Sequence, residues 1–186
     1  MSKVQDIEEH LKQIMNILEI PSDENSEGTP KRIAKMWVNE LFKNTDRYTL
    51  GELTEVMALF PCKPKNKGTV IVKDIPFSST CAHHWLPFSG TATVGYLPGD
   101  KVIGLSKIPR TVKYFSKMPQ LQETYTADIG NFLYGILKPE GIVVQVNAKH
   151  QCVMCRGAES DCSTITNWEK GKPEVIERLY KEIGRC

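Results

Sequence analysis

Three of the four histidines and three of the six cysteines stand in two short, distant segments. The first is Cys81-Ala82-His83-His84, and the second is His150-Gln151-Cys152-Val153-Met154-Cys155. Cysteine and histidine are the preferred zinc ligands. A structural site takes four of them, whereas a catalytic site takes three and leaves one position for solvent. A fold that uses these residues must bring both segments to one point. Cys81 and His84, at i and i+3 near a strand end, can reach one ion, and Cys152 from a second strand can supply a third ligand. On a continuous strand His150 and Cys152 would face the same side, leaving His150 beside the ion rather than on it. His83, next to a ligand, should point elsewhere, toward a pocket. Two other uses of Cys152-x-x-Cys155 stay open here, half of a structural zinc knuckle or a redox pair. Cys62, Cys162 and Cys186 have no partner pattern and read as ordinary cysteines, and His10 reads as a solvated helix residue.

The rest of the chain bounds the class. Its 186 residues, 40% hydrophobic and 25% charged, suit one globular domain with a real core. The charge balance of 24 basic against 22 acidic residues argues against a general nucleic-acid binder. No apolar run reaches the roughly 18–20 residues of a membrane span. The charged start MSKVQDIEEHLKQ does not read as a signal peptide, so a cytoplasmic protein is expected, with thiols free rather than in disulfides.

Periodicity orders the elements. Val4, Ile7, Leu11, Ile14, Met15 and Leu18 predict a helix over 3–19. Thr29, as cap, and Pro30 open a second helix through Phe42. A loop follows, with a short helix near Leu53–Leu59. TVIVKDIPFSST reads as a strand ending at Cys81, and GTATVGYLPGDKVIGLS as a strand, a tight turn and a short strand. Helices are expected over Ser106–Met118 and Gln120–Lys138. IVVQVNAKHQCVMCRG reads as β throughout, and a last helix follows Pro173. Grouped strands split by a helix pair predict an α+β fold with an antiparallel sheet. The expected division is an N-terminal helical region over 1–67 and a catalytic domain over 68–186.

Several motifs in register resemble the GTP cyclohydrolase I family. Ser79-Thr80-Cys81-Ala82-His83-His84 is similar to the family's S-x-C-E-H-H, with Ala82 in place of the glutamate. Val102-Ile103-Gly104-Leu105-Ser106-Lys107 with Arg110 is similar to V-I-G-L-S-K-x-x-R. Pro119-Gln120-Leu121-Gln122-Glu123 is similar to P-Q-x-Q-E. His150-x-Cys152 with Arg156-Gly157 is similar to H-x-C-x-x-x-R-G, and Thr29-Pro30-Lys31-Arg32-Ile33-Ala34 resembles T-P-x-R-[IV]-A. Thr124-Tyr125 departs from the usual Arg-Leu, and the chain after Gly171 shows little likeness.

The resemblance implies a tunnelling fold, with a helix pair on one face of each sheet and sheets of several subunits joined into a barrel. It implies a homo-oligomer, a decamer of two pentamers with active sites between subunits. It implies conversion of GTP and water to 7,8-dihydroneopterin triphosphate and formate. By the same resemblance, Cys81, His84 and Cys152 hold Zn2+. His150 and His83 transfer protons, and Ser106 assists the sugar rearrangement. Glu123 reads the guanine edge with Gln122 in support. Lys107, Arg110 and Arg156 grip the triphosphate, with Lys31 or Arg32 as helpers. Two other outcomes stay open: a related tunnelling-fold enzyme acting on another purine or pterin, and an inactive member with a structural zinc site.

Overall fold

The computed structural model describes residues 2–46, 50–63 and 68–184. Cys186, expected to be an ordinary cysteine, lies outside them. Helix α1 (Lys3–Ile17) opens with a capping box: Ser2 Oγ accepts from the Gln5 N–H while the Gln5 side chain accepts from the Ser2 N–H. Only Leu11 of α1 is buried; Ile14, Ile17 and Leu18 are exposed. Helix α2 (Thr29–Met36) is capped by Gly28, one residue earlier than expected, and Thr29 instead accepts a hydrogen bond from Arg32. The expected single helix through Phe42 changes pitch. Residues Trp37–Leu41 form a π-helical turn, closed by the Phe42 N–H on the Trp37 carbonyl at 2.8 Å. Helix α3 (Leu50–Glu55) lies earlier than predicted, because Leu59 belongs to a strand, β1 (Leu59–Pro61).

A five-stranded sheet forms the body. Its strands are β2 (Val70–Cys81), β3 (Pro87–Leu97), β5 (Pro119–Gln120), β6 (Gly141–His150) and β7 (Ser163–Gly171), in the order β5-β2-β3-β6-β7. All pairings are antiparallel except the two-residue parallel contact of β5 with β2. Strand β4 (Lys101–Ile103) pairs with β1 in a separate ribbon. Helices α4 (Lys107–Phe115) and α5 (Gln122–Leu137) share one face of the sheet, and α7 (Pro173–Ile183) packs on the other. The fold is thus mixed α+β. The first of the predicted helix pair stops at Phe115, and the second starts at Gln122 because Gln120 is held in β5.

Strand β6 reads as a run of apolar residues because both its faces are covered. Ile142, Val144, Val146 and Ala148 pack with α4 and α5, whereas Val143 packs with Val175, Ile176, Leu179 and Ile183 of α7. Phe88, Tyr125, Ile129 and Leu133 are almost fully buried, each worth about 1.5–3 kcal/mol of transfer free energy if apolar throughout. Strand β7, absent from the sequence expectation, is polar (STITNWEKG) and mostly exposed. Its alternation is that of an edge strand with one thin inward stripe. No helix among the described residues is long and apolar enough to cross a membrane.

Helix α5 approaches β7 closely at Gly130, where an added Cβ would overlap the Trp168 indole. At Gly135 of the same helix nothing lies within 4 Å. Gly130→Ala is therefore expected to cost about 1–3 kcal/mol through overpacking. Gly135→Ala should be neutral or stabilise by up to about 1 kcal/mol. Chemical denaturation of the two variants reads the contrast; equal midpoints would refute the close approach.

Candidate active site

Cys81 is the last residue of β2, and the turn after it is fixed through the backbone. The Cys81 N–H donates to the Leu86 carbonyl and the Trp85 N–H donates back to the Cys81 carbonyl, both at 2.9 Å. The Ala82 N–H donates to the Gln120 carbonyl at 3.1 Å, tying the turn to β5. Trp85 is left-handed, φ 54°, a conformation uncommon for a non-glycine residue. Its indole is held edge-on by Trp37 and Phe42, each 5.3 Å away between ring centroids. Cys81 is buried, while His83 and His84 are exposed. The two imidazole planes lie 77° apart, so the neighbouring rings face different directions.

Cys152 reaches the same point by a route the sequence did not predict. The expected strand through residue 157 ends at His150, and Gln151–Met154 is a single helical turn, α6. The ladders explain the stop: β3 pairs with β6 only as far as Phe88 opposite His150, and β7 only as far as Ser163 opposite Lys149. Beyond them no strand remains to pair with. The same-face alternation expected for His150 and Cys152 therefore does not apply, and the turn itself carries Cys152 to Cys81. Their sulfurs lie 3.9 Å apart across 71 positions of sequence. The ligand atoms of Cys81, His84 and Cys152 all lie within 4.8 Å of one another.

This donor set fits a metal ion. Two thiolates bound tetrahedrally at about 2.3 Å lie about 3.8 Å apart, close to the separation found. Burial, then the adjacent Cys81 sulfur, pushes the Cys152 thiol above its ordinary pKa, with the Arg156 guanidinium opposing. Two sulfurs so close need a cation between them to ionise together. Cys155 is exposed and does not join the group among the described residues.

His150 stands at the end of β6, half-buried. Its ring stacks on Phe88 at 4.8 Å and 4°, and its Nε2 lies 2.8 Å from Gln122 Oε1. Burial lowers its pKa, and the Glu123 carboxylate partly opposes this. Gln122 and Glu123, the first two residues of α5, point about 100° apart around the helix, one inward and one outward. Glu123 is exposed, whereas Gln122 is 2% exposed, with its carboxamide committed to protein partners. Gln122, expected to support Glu123 at the guanine edge, is buried here with its amide oxygen on His150.

Ser106, Lys107 and Arg110 lie at the start of α4. Ser106 makes no side-chain cap bond, and its hydroxyl is exposed. Arg110 faces a cavity of about 530 Å³ shared with Glu52, Lys113 and Tyr114, whose lining includes none of the Cys/His trio. Arg32 is committed locally, donating to the Asn25 carbonyl and to Thr29 Oγ1, and Lys31 is exposed. Sequence reasoning missed Phe88 and Trp85 as supports of the site. Trp85 directly follows the metal-loop histidines, and that adjacency was the available cue.

A Cys-His-Cys donor group on the end of an antiparallel sheet, with a histidine and a carboxylate beside it, defines an α+β protein with a metal-site constellation. The family model for GTP cyclohydrolase I matches residues 7–183. The GTP cyclohydrolase 1 of Streptococcus gordonii is 43% identical over 185 residues, covering 98% of this chain and 92% of that protein. That of Streptococcus mutans is 41% identical over 186 residues, covering 98% and 94%. The enzyme of Vibrio cholerae is 39% identical over 170 residues, covering 91% and 76%. The chain belongs to the GTP cyclohydrolase I family.

Cys152→Ala is expected to lose stoichiometric metal after dialysis against a weak chelator, whereas His150→Ala retains it. Elemental analysis of the two proteins measures this. Full metal retention by Cys152→Ala would remove that residue from the ligand set.

Proposed function

We propose that this chain is a zinc-dependent GTP cyclohydrolase that converts GTP and water to 7,8-dihydroneopterin triphosphate and formate. The observation that carries the reading is the convergence of Cys81, His84 and Cys152 beside His150 and Glu123, in a member of this family. Cys81, His84 and Cys152 would hold the zinc, which supplies the Lewis acidity that makes water a nucleophile at neutral pH. Among the described residues the group offers three protein donors, which would leave a fourth position to solvent, as catalytic rather than structural zinc sites do.

The remaining roles belong to the chain's own side chains. Glu123, exposed at the N-terminus of α5, accepts from the guanine N1–H and N2–H groups. Adenine lacks that donor pair. His150, anchored by Phe88 and Gln122, delivers a proton to N7 as water adds to C8. Histidine suits this because either of its charge states is accessible near neutral pH. The exposed His83 serves the later proton transfers that release formate. Ser106, free of a capping bond, assists the sugar rearrangement. Arg156 stands near Cys152 and opposes the triphosphate, for which its bidentate donors are suited. Lys107 and Arg110 complete the triphosphate grip.

The reading takes the complete site to lie between neighbouring subunits, with Ser106, Lys107 and Arg110 at the start of α4 facing a different chain's thiols. Two further features support an oligomer in which sheets join into a barrel. Strand β7 presents a nine-residue outer edge with Ile165 exposed, and such edges are normally paired or covered. The apolar stripe of α1 at Ile14, Ile17 and Leu18 is uncovered within the chain. A toroidal decamer is the assembly this reading adopts.

Purified protein supplied with zinc and GTP should release formate and, after oxidation, a fluorescent pterin. Guanosine should turn over far less well. Absence of both products at micromolar enzyme with zinc bound would overturn the reading. Equal turnover of guanosine and GTP would instead remove the triphosphate grip.

A further inference from the structure

Gln122 forms part of a closed hydrogen-bond circuit. Its Nε2 donates to the Val146 carbonyl at 3.1 Å and to the Thr164 carbonyl at 2.9 Å, and lies 3.1 Å from Thr166 Oγ1. Thr126 Oγ1 donates to the backbone carbonyl of Gln122 at 2.7 Å and lies 2.6 Å from Thr166 Oγ1. With the Thr126 proton used on that carbonyl, Thr166 donates to Thr126 and accepts from Gln122. The two Nε2 protons are then shared among three acceptors, and none of the three can be met by an oxygen in that place.

The circuit fixes which way the amide points. Carbonyl oxygens only accept, so the end of Gln122 that faces Val146 and Thr164 must be the nitrogen. The end facing His150 Nε2, at 2.8 Å, must be the oxygen. An amide oxygen has no proton to give, so this hydrogen bond needs the proton on Nε2. Phe88, stacked parallel at 4.8 Å, holds the ring plane in which the bond is made.

We infer that Gln122 is a positioning residue that locks His150 in the Nε2–H form, so that the proton His150 exchanges with substrate is carried on Nδ1. Gln122 then acts through His150 and not by touching guanine. The tautomer assignment stands on the circuit alone; its catalytic consequence rests on the function proposed above. Removing Gln122 would leave the imidazole free to exchange tautomers and to swing about its side-chain bonds. Both reduce the fraction of enzyme with the correct nitrogen facing the substrate.

The test begins with wild-type zinc-loaded protein labelled with nitrogen-15 at histidine. The His150 pair of ring nitrogens is identified by its loss in His150→Gln. The expected spectrum of neutral His150 shows a protonated Nε2 and a bare Nδ1; the reverse assignment overturns the inference. Gln122→Met keeps the side-chain length without the amide. It should lower kcat by about 10–100-fold, leave KM for GTP within about twofold and retain zinc. A raised KM with unchanged kcat would show Gln122 to be a substrate contact and overturn the inference. Should Gln122→Met fail to fold, the wild-type spectrum decides alone. Wild-type protein that makes no pterin yet shows the Nε2–H form refutes the proposed function while leaving the tautomer lock in place.

Discussion

The β3–β6 ladder is the interaction on which the rest of the molecule depends. It runs without a break from Phe88 opposite His150 to Leu97 opposite Gly141. Through it, the loop after β2 and the turn after β6 end at the same edge of the sheet. A slip of one residue would turn every side chain of β6 to the other face. Val144 would leave the large core and Val143 would leave α7. His150 would lose Phe88, and Cys152 would no longer meet Cys81. Because β6 is apolar on both faces, each packed layer opposes such a slip independently. The precision of the sulfur–sulfur approach therefore comes from hydrophobic packing some distance away.

The first turn of α5 then converts that scaffold into chemistry. Gln122 and Glu123 are consecutive, and the roughly 100° advance per helical residue puts one inside and one outside. The inside residue is neutral, bonded to β6, β7 and His150, and costs no buried charge. The outside residue keeps its carboxylate in solvent at the positive end of the helix. Burial of His150 disfavours its cationic form while Glu123 favours it. The two influences oppose each other on one ring, which suits a group that must both hold and release a proton. The polar edge strand β7 acquires a purpose in the same arrangement, because Thr164 and Thr166 supply acceptors for the buried amide.

Much of this was legible in sequence where one physical cause dominated. The convergence of Cys81, His84 and Cys152 was expected from ligand chemistry and clustering, and the helices α1, α4, α5 and α7 followed from apolar periodicity. Boundaries failed where tertiary pairing decided them. The chain after His150 contains Val153 and Met154 and reads as β by composition, yet strand structure stops where the partner strands stop. Strand β7 escaped notice because an edge strand buries little, and its threonines serve hydrogen bonds rather than packing. The π-helical turn at Trp37–Leu41 has no marker in helical periodicity, and it sets Trp37 and Phe42 against Trp85. The motif around Gln122 marks it as a support of Glu123 and says nothing of its buried partners. Its partners come from α5, β6 and β7 together, and no local pattern encodes such a meeting.

The alanine at position 82 separates two things that a glutamate there could supply. Its backbone N–H is bound to the Gln120 carbonyl, and its side chain is exposed. The turn that carries Cys81, His83 and His84 is closed by two further backbone bonds and by the packing of Trp85 edge-on against the stacked Trp37 and Phe42. None of these supports needs a side chain at position 82. The loop's shape is thus independent of the side chain at position 82, and what Ala82 lacks is a negative charge beside Cys81 and His84. Carboxylates near ligating histidines commonly orient them and tune metal affinity. Here the orienting work falls to backbone and aromatic contacts, so any consequence of Ala82 must be electrostatic in origin rather than a collapse of the site.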